Sequence, residues 1–343
     1  MDVSELTQVD SMEWDEYVSR ACSGHPFQLS GWRKVIQESY GYPSWYLTAR
    51  DGGQIAGILP LFKVASRLVG TSITSLPRGI CAEEPSAAEV LLERAKDITR
   101  GTGSDCLMIR DSLHIWGDQA GWCDDCSVAV RELPNDSRVL RQQLKRQLRQ
   151  HISKAEQLGV QTESGTNNVD EFYRVYCDLL HEKGVPVFSH AFLKAVVTEF
   201  ADRLVVTTAR LDGKVIGAIL HLELQDTLFA LWGGAPSRYR RFRPSHALWW
   251  ESMRYAADNG RQFLDMGRSL RGSGSEVFKQ HWGSISWPIY RLHLQMGDRD
   301  VYDPLEEGCN NSRYQILTKV WRRLPRSVVG TLGPRLRRHI PFG

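Results

Sequence analysis

The sequence predicts an α/β fold made of two similar units, each a mixed sheet with helices on both faces. Two observations lead to this prediction. The hairpin sequences TARDGGQIAGIL (48–59) and TARLDGKVIGAIL (208–220) repeat one another at a period close to one domain length. The predicted elements around both hairpins also follow a similar order. The length of 343 residues is sufficient for two domains of ~150–170 residues.

The first unit is predicted from apolar periodicity, capping residues and turn residues. Helices are predicted over 10–21, 31–40 and 87–101, and strands over 45–50, 54–64, 71–76, 106–110 and 127–132. Asp51-Gly52-Gly53 predicts a tight hairpin turn. Pro60 predicts a sheet edge or a bulge, because proline cannot donate to a ladder.

The second unit repeats this pattern after a long basic helix predicted over 139–159. Further helices are predicted over 170–183, 189–199 and 244–259, and strands over 204–211, 215–224, 226–233 and 288–294. A strand over 263–266 is predicted to break at Gly267, and Ser275 to cap a short helix after it. The predicted domain organisation is therefore 1–138, 139–298 and a basic C-terminal segment, 299–343, that packs back on the first domain.

Composition bounds the class of protein. Hydrophobic residues at 42% and charged residues at 24% are ordinary for a globular protein, and the formal net charge is +3. No apolar run reaches ~18 residues and the acidic N-terminus lacks a signal pattern, so the expected compartment is the cytoplasm. The seven cysteines suit reduced thiols. Cys123 and Cys126 lack a second ligand pair, so we predict no metal site.

The stretch from Arg261 to Leu292 carries the first candidate site. Lys279 is the leading catalytic candidate, because a cation near a reacting ester stabilises its oxyanion. Phe278 and Trp282 would limit access of water to this lysine. Asp265 at the end of the strand and Arg268 just after it are candidates for a base or an orienting pair, although a structural salt bridge explains the same spacing.

Two basic stretches are candidates for binding anions. Lys145 and Arg149 are spaced for one face of the basic helix, where they form an anion clamp or merely a solvated surface. Before the helix at Pro244, a second set combines cations and rings that suit phosphate or stacked bases. Its members are Arg238, Tyr239 and Arg241, with His246 as a minor candidate. The stretch has no glycine between Gly234 and Gly260, so ordinary cradling of coenzyme A is not expected.

The C-terminal stretch from Lys319 to Gly343 has seven basic residues and no acidic residue. Apolar residues such as Trp321, Leu332 and Leu336 interleave with the basic ones. This pattern is typical of a peripheral contact with an anionic membrane, here at its inner face, and equally of a tail that packs on the first domain.

The order of several motifs resembles the FemAB-like acyltransferases over nearly the whole chain. They are FQLSGW (27–32), GYPSWYLTAR (41–50), GILPLFKVASRLVGTSITSLP (57–77), LRQQLKRQLRQHISKAEQLGV (140–160), LDMGRS (264–269), EVFKQHWG (276–283), and WRRLP and LGP near the end. The sequence is most similar to the branch associated with the exosortase/PEP-CTERM exopolysaccharide loci of Gram-negative bacteria. The long coiled-coil arm of some family members is missing.

This resemblance implies two tandem GNAT-like domains (acyl-CoA N-acyltransferase-like), with mixed sheets flanked by helices. It implies that Phe278-Lys279 matches the family's F-K pair, in which the lysine contacts the acyl ester and the RNA end of an aminoacyl-tRNA, and that Arg149 binds substrate phosphate. We expect no bound cofactor. The expected donor is aminoacyl-tRNA, acyl-CoA or acyl carrier protein, and the expected acceptor is an envelope or lipid-linked precursor. A degenerate, non-catalytic pair of domains that binds an anionic glycan or a lipid-linked precursor is the alternative.

Overall fold

The computed structural model describes residues 1–5, 11–66, 70–117, 121–297 and 312–340. These residues form two compact units. Unit 1 consists of the described parts of Met1–Cys126, Pro288–Cys309 and Arg335–Gly343. Unit 2 consists of Ser127–Trp287 and the described part of Asn310–Pro334. The predicted domain bound at 298 lies outside the described residues.

Strands and helices are interspersed along the described residues. The first half contains β1 (Asp2–Glu5), α1 (Ser11–Arg20), α2 (Gly31–Tyr40), β2 (Ser44–Asp51), β3 (Gln54–Ser66), β4 (Gly70–Ser75), β5 (Cys81–Ala82), α3 (Pro85–Gly101), β6 (Cys106–Ser112) and β7 (Trp122–Glu132). The second half contains α4 (Ser137–Gln143), α5 (Arg146–Gln157), β8 (Gln161–Gly165), α6 (Val169–Lys183), α7 (His190–Glu199), β9 (Leu204–Leu211), β10 (Lys214–Leu224), β11 (Thr227–Gly234), α8 (Pro244–Asp258), β12 (Phe263–Leu270), α9 (Gly274–His281), β13 (Ile285–Gln295), α10 (Ser312–Arg323) and α11 (Arg326–Arg337).

In unit 1, the strands lie in the order β1-β2-β3-β4-β6, followed by the part of β13 from Pro288 onward. The β4–β6 pair is parallel, whereas the other described ladders are antiparallel. Leu91 and Ala95 of α3 pack into a core with Leu59 of β3 and Leu107 of β6. This packing places α3 against the sheet of unit 1.

The prediction that Pro60 marks an edge or a bulge is wrong. β3 lies inside the sheet, between β2 and β4. Pro60 lies opposite Tyr46 on the β2 side. On its other side, β5 pairs with β3 up to Ile58 and β4 pairs from Leu61 onward. Pro60 therefore occupies the gap between these two partners, where no amide donor is needed.

In unit 2, the strands lie in the order β12-β11-β10-β9-β8, with the end of β7 beside β12. Ile219 of β10 packs against Leu248 of α8. The next residue, Leu220, lies opposite Trp232, whose ring is 5.0 Å from that of Phe188. Because neighbouring strand residues point to opposite faces, both faces of this sheet are covered. The predicted α/β class with helices flanking a mixed sheet is confirmed.

The predicted long basic helix is wrong, because Leu144 and Lys145 are extended, with ψ values of 142° and 143°. α4 ends before this break and α5 begins after it, so Lys145 precedes α5 and does not lie inside a continuous helix with Arg149. Leu140, Leu144 and Leu148 are all buried, and the extended link keeps Leu144 in the core between the two helices.

The stretch after Phe263 also differs from its prediction. β12 does not end at Gly267 but continues to Leu270, with Gly267 at a φ of +77°. The helix that follows is capped by Ser273 rather than by Ser275, since the Ser273 hydroxyl accepts from the amide of Glu276. The strands β1, β5 and β8 were not predicted, because they are short and lack an alternating apolar pattern.

The described part of the C-terminal segment forms the two helices α10 and α11. Residues 299–311 and 341–343 of the predicted segment lie outside the described residues. Within unit 2, a Cβ added at Gly184 would lie 2.3 Å from Thr318, so α10 packs closely on the end of α6. Arg322 donates to the carbonyl of Lys183 at 3.1 Å. Within unit 1, the carbonyl of Arg338 accepts from Tyr42. None of the described helices is long and apolar enough to span a membrane.

Candidate functional site

The candidate site in unit 2 lies where the parallel strands β11 and β12 part. Their ladder covers three residue pairs, from Thr227–Phe263 to Phe229–Asp265. Among the described residues of these strands, no ladder pair follows Asp265, although β12 continues to Leu270 and β11 to Gly234. Backbone amides and carbonyls along parted strands can bind an extended ligand as an added strand would.

Asp265 and Gly267 shape the end of β12. The Asp265 side chain is 3% exposed, and its Oδ1 accepts from the Gly267 amide at 2.7 Å. The left-handed backbone at Gly267 suits glycine, and an added Cβ would lie 3.1 Å from the carbonyl oxygen of Ala230 on β11. The carboxylate therefore holds a bend that begins just after the last β11–β12 pair.

Lys279 of α9 reaches back to this bend. Its Nζ donates to the carbonyl oxygens of Gly267 at 2.7 Å and of Arg268 at 2.8 Å, and the residue is 6% exposed. The structure thus brings all three predicted catalytic residues, Asp265, Arg268 and Lys279, to one junction. The carbonyls fix the position of the ammonium, which gives the junction a buried positive charge.

Glu276 ties the start of α9 to β7 and to the preceding loop. Its carboxylate accepts from the Ser127 hydroxyl and from the Gly272 amide, the latter at 2.7 Å. The hydrogen bond from Ser127 is the main reason why the pKa of Glu276 is lowered, with Gly272, Arg271 and Lys279 contributing less. The position of Lys279 is therefore supported from three segments of unit 2.

Four rings form a cluster beside Lys279. His246 of α8 lies 4.6 Å from the ring of His151 and 5.3 Å from that of Phe278, and Trp282 lies 6.2 Å from both His246 and Phe278. Burial, His151 and Arg243 lower the pKa of His246 to about 4. His246 is neutral at pH 7 and does not act there as a cationic anion ligand.

The predicted anion clamp on α5 is only partly formed by that helix. Arg149 is exposed and donates to the carbonyl of Gln142 at 2.8 Å, so it joins α5 to the end of α4. Lys145 precedes α5 and is exposed. Its side chain has no hydrogen bond or ion pair with the residues that the structure describes. Of the two predicted ligands, Lys145 is the one with an uncommitted charge.

The arginine stretch before α8 is a short 3-10 helix, Ser237–Phe242. Several amides in and after this 3-10 helix are used within the protein: Tyr239 donates to Pro236 and Arg243 donates to Arg240. In the first turn of α8, His246 and Ala247 both donate to the carbonyl of Arg243. Amides that are engaged in this way do not contribute to a phosphate cradle.

The side chains of this stretch differ in availability. Arg238 pairs with Asp178, lies 4.7 Å from the ring of Tyr239 and lowers the pKa of Tyr239. Arg241 lies 4.6 Å from the ring of Phe242 and is exposed. Arg241 therefore presents its charge to solvent, whereas Arg238 is committed to an acidic partner.

A second group of buried polar residues lies in unit 1, where the parallel strands β4 and β6 end. Their ladder also covers three pairs, from Ser72–Cys106 to Thr74–Met108. Beyond it, Arg78 and Asp111 adopt left-handed backbone conformations, with φ values of +75° and +51°. Both are buried, as is Arg110. Strain of this kind is concentrated at ligand sites, which makes this group a candidate.

The sequence-based interpretation did not select several residues of these two groups. They are His151, Ser127, Glu276, Arg78, Arg110 and Asp111. Arg110 and Asp111 end the apolar run CLMI, which is a recognisable signal for polar groups at a strand end. His151 and Ser127 contact the site only through tertiary packing, and no local pattern indicates them.

The C-x-x-C pair lies within unit 1, at the start of β7. Cys123 is exposed and Cys126 is buried, as expected for strand residues three apart, whose side chains point to opposite faces. Among the described residues there is no group of three or more His, Cys, Asp or Glu side chains arranged to hold a metal ion.

Comparison with known proteins identifies the fold. Residues 140–280 match the family model described as an acetyltransferase (GNAT) domain. The chain is similar to the crystal structure of FemX, with a TM-score of 0.67 and 14% identity over 93% of this chain and 100% of that one. No curated protein matches the sequence.

Two further solved structures share the fold. One is the C-terminal domain of a putative lysylphosphatidylglycerol synthetase from Agrobacterium fabrum, with a TM-score of 0.55 and 14% identity over 84% of this chain and 92% of that one. The other is a tandem GNAT protein from the clavulanic acid biosynthesis pathway, with a TM-score of 0.55 and 11% identity over 87% of this chain and 99% of that one. These similarities confirm the predicted tandem GNAT-like fold.

Proposed function

We propose that the chain is an acyltransferase or aminoacyltransferase, with an amine or hydroxyl of a cell-envelope or exopolysaccharide precursor as acceptor. The observation that carries this proposal is the junction of β12 and α9, where the parted strands meet the fixed ammonium of Lys279. The match of residues 140–280 to the GNAT domain supports the same class of reaction.

In the proposed reaction, the acceptor nitrogen or oxygen attacks the donor's acyl carbonyl and the donor's oxygen or sulfur leaves with the bonding electrons. Lys279 stabilises the oxyanion of the tetrahedral intermediate, a contribution of roughly 3–4 kcal/mol for one such donor. Asp265 holds the bend that orients the Gly267 and Arg268 carbonyls. The proton that the acceptor loses passes to the departing oxygen or sulfur of the donor, either directly or through Asp265. Phe278 and Trp282 keep water from the reacting ester.

A donor with anionic groups is proposed to bind through side chains. Lys145 and Arg241 are exposed and supply the charge. Because His246 and Ala247 use their amides within the protein and the stretch has no glycine between Gly234 and Gly260, we propose that aminoacyl-tRNA or acyl carrier protein fits this site better than acyl-CoA. Arg149 and Arg238 have protein partners, so we assign them a smaller part in donor binding.

The acceptor is assigned to the envelope on two grounds. The sequence resembles the exopolysaccharide-associated FemAB-like branch, and the similar Agrobacterium domain is named after a lysyl-lipid product.

The alternative function is a non-catalytic binding module for an anionic glycan or a lipid-linked precursor. The engagement of Lys279 with two backbone carbonyls favours it, because the same bonds explain the lysine as a purely structural residue.

The discriminating experiment is a donor screen with the full chain. Aminoacyl-tRNA, acyl carrier protein and acyl-CoA, each labelled in the acyl group, are incubated with an extract of Gram-negative envelope lipids and glycans. Enzymatic transfer moves the label to an extract component, which mass spectrometry identifies. Binding of extract components without transfer from any donor supports the binding module and contradicts the enzyme.

A further inference from the structure

The helices α10 and α11 carry a basic surface with exposed aliphatic side chains. From Ser312 to Gly343 the sequence contains no Asp or Glu. Some of the cations in this stretch are used inside the protein: Arg322 donates to Lys183, Arg326 pairs with Asp178 at 3.3 Å, and Arg337 is buried. Lys319 and Arg323 are among the remaining cations.

On α10, Lys319 and Arg323 are four residues apart and both are exposed. Neither side chain makes a hydrogen bond or an ion pair with any residue that the structure describes. Val320 lies beside them and is 51% exposed, whereas Trp321 faces inward and is 7% exposed. This turn of α10 therefore directs two uncommitted charges and one aliphatic side chain outward.

On α11, the inward and outward residues form separate rows. Val329 and Gly333 are buried, and Gly333 packs against Val187 and Trp321. Leu332 and Leu336 are one helical turn apart on the flank of this buried row and are 39% and 38% exposed. A surface that mixes exposed aliphatic side chains with cations is typical of helices that lie in a lipid interface.

We infer that this surface, defined by Lys319, Val320, Arg323 and Leu332, docks on an anionic lipid bilayer, with the leucine and valine inserted among the headgroups. Each basic residue near an anionic bilayer contributes favourably to the free energy of membrane binding, and the aliphatic side chains add to it by burying apolar area. The inference concerns where the protein is held and is independent of the proposed transfer reaction.

Two other occupants fit the charge and chemistry less well. A two-fold contact with a second copy would place this surface against itself and oppose like charges without any acidic partner. RNA is bound on single strands largely through stacking on aromatic side chains, whereas the exposed apolar residues here are aliphatic.

The test is co-sedimentation of the full chain with vesicles of phosphatidylcholine alone and of phosphatidylcholine mixed with phosphatidylglycerol. We expect binding only to the mixed vesicles, with release at high salt. The double variant Lys319→Glu/Arg323→Glu should bind at least roughly tenfold more weakly. Leu332→Ser should weaken binding by a smaller factor that salt does not change.

The matched control is Lys194→Glu/Arg100→Glu, which makes the same change in net charge at exposed positions on α7 and α3. It should bind like the unaltered protein, and thermal unfolding should show that all variants are folded. The inference is overturned if the chain does not bind the mixed vesicles, if it binds both vesicle types equally, or if both charge-reversal variants lose binding to the same extent. A dimer that Leu332→Ser dissociates would also overturn it.

Discussion

Lys279 combines two tasks that are usually assigned to different residues. Its ammonium holds the end of β12 through two carbonyls, and the proposed reaction uses the same charge to stabilise an oxyanion. The two tasks are compatible, because a donor that is already fixed by its surroundings needs no reorganisation during the reaction.

The structural task predicts a loss of stability in Lys279→Met. The carbonyls of Gly267 and Arg268 lose a charged donor in a buried place, so the free energy of unfolding should fall by about 2–4 kcal/mol. Lys194→Met, at an exposed position on α7, should change it by less than about 0.5 kcal/mol. Urea unfolding measures both free energies of unfolding. Equal losses in the two variants would contradict the structural role of Lys279.

The ring cluster predicts a pH dependence that belongs to His246. Its pKa is lowered to about 4 in the folded protein, below the ~6.5 of an unfolded chain. The unfolded state therefore binds the proton more readily, and stability is lost as the pH falls from about 6.5 toward 4.

The variant His246→Gln cannot be protonated, so it should lose less stability over this pH window than the unaltered protein. We expect a difference of about 2 kcal/mol between the two, allowing for the partial exposure of the ring. Unfolding free energies at pH 7 and pH 4.5 provide the comparison. Equal losses of unfolding free energy between pH 7 and pH 4.5 in both proteins would show that His246 is not the titrating group.

At the scale of the elements, the bend in β12 determines where Lys279 can bind. Gly267→Ala should strain the left-handed backbone and also press a Cβ against the Ala230 carbonyl. Gly260→Ala is the matched control, because Gly260 has a φ of +73° and no atom within 4 Å of an added Cβ.

We expect Gly260→Ala to cost about 1 kcal/mol of unfolding free energy and Gly267→Ala to cost about 2 kcal/mol or more. Thermal or urea unfolding of both variants measures the difference. If Gly267→Ala were no more destabilising than its control, the strands would not approach one another at the bend as described.

Most elements could be predicted from the sequence because they depend on local signals. The helix over Gly31–Tyr40 has an amphipathic pattern and ends before Gly41, and the hairpin turn at Gly52 has few alternatives. The break at Leu144 has no such signal, since the apolar period continues through it. The sequence predicts a strand end at Gly267, where the structure has a bend within β12. Glycine is common at strand ends and at bends within strands, and only the pairing with other strands distinguishes the two.

Some site residues could likewise be predicted from a local stretch of sequence, whereas others are brought to the site only by tertiary packing. Lys279 and Asp265 lie within one continuous stretch, so a sequence can place them near one another. His151 and Ser127 enter the site from segments more than a hundred residues away in sequence from α9. Their arrival depends on the packing of α5 and β7, which no local pattern encodes.

For the whole molecule, the tandem GNAT-like fold leaves the class of donor as the main question. We predict that coenzyme A shows no saturable binding at micromolar concentrations by calorimetry, because Arg243, His246 and Ala247 use their amides within the protein and the stretch has no glycine between Gly234 and Gly260. Aminoacyl-tRNA should bind with a strong salt dependence that Lys145→Ala/Arg241→Ala reduces. Tight binding of coenzyme A would contradict this donor assignment.

The most direct test of the central claim is the rate of acyl transfer by Lys279→Met compared with the unaltered protein, each supplied with the labelled donor that the screen selects. The account predicts that the rate falls by about a hundredfold or more while the donor still binds and the variant remains folded. Undiminished transfer by a folded Lys279→Met variant would contradict it.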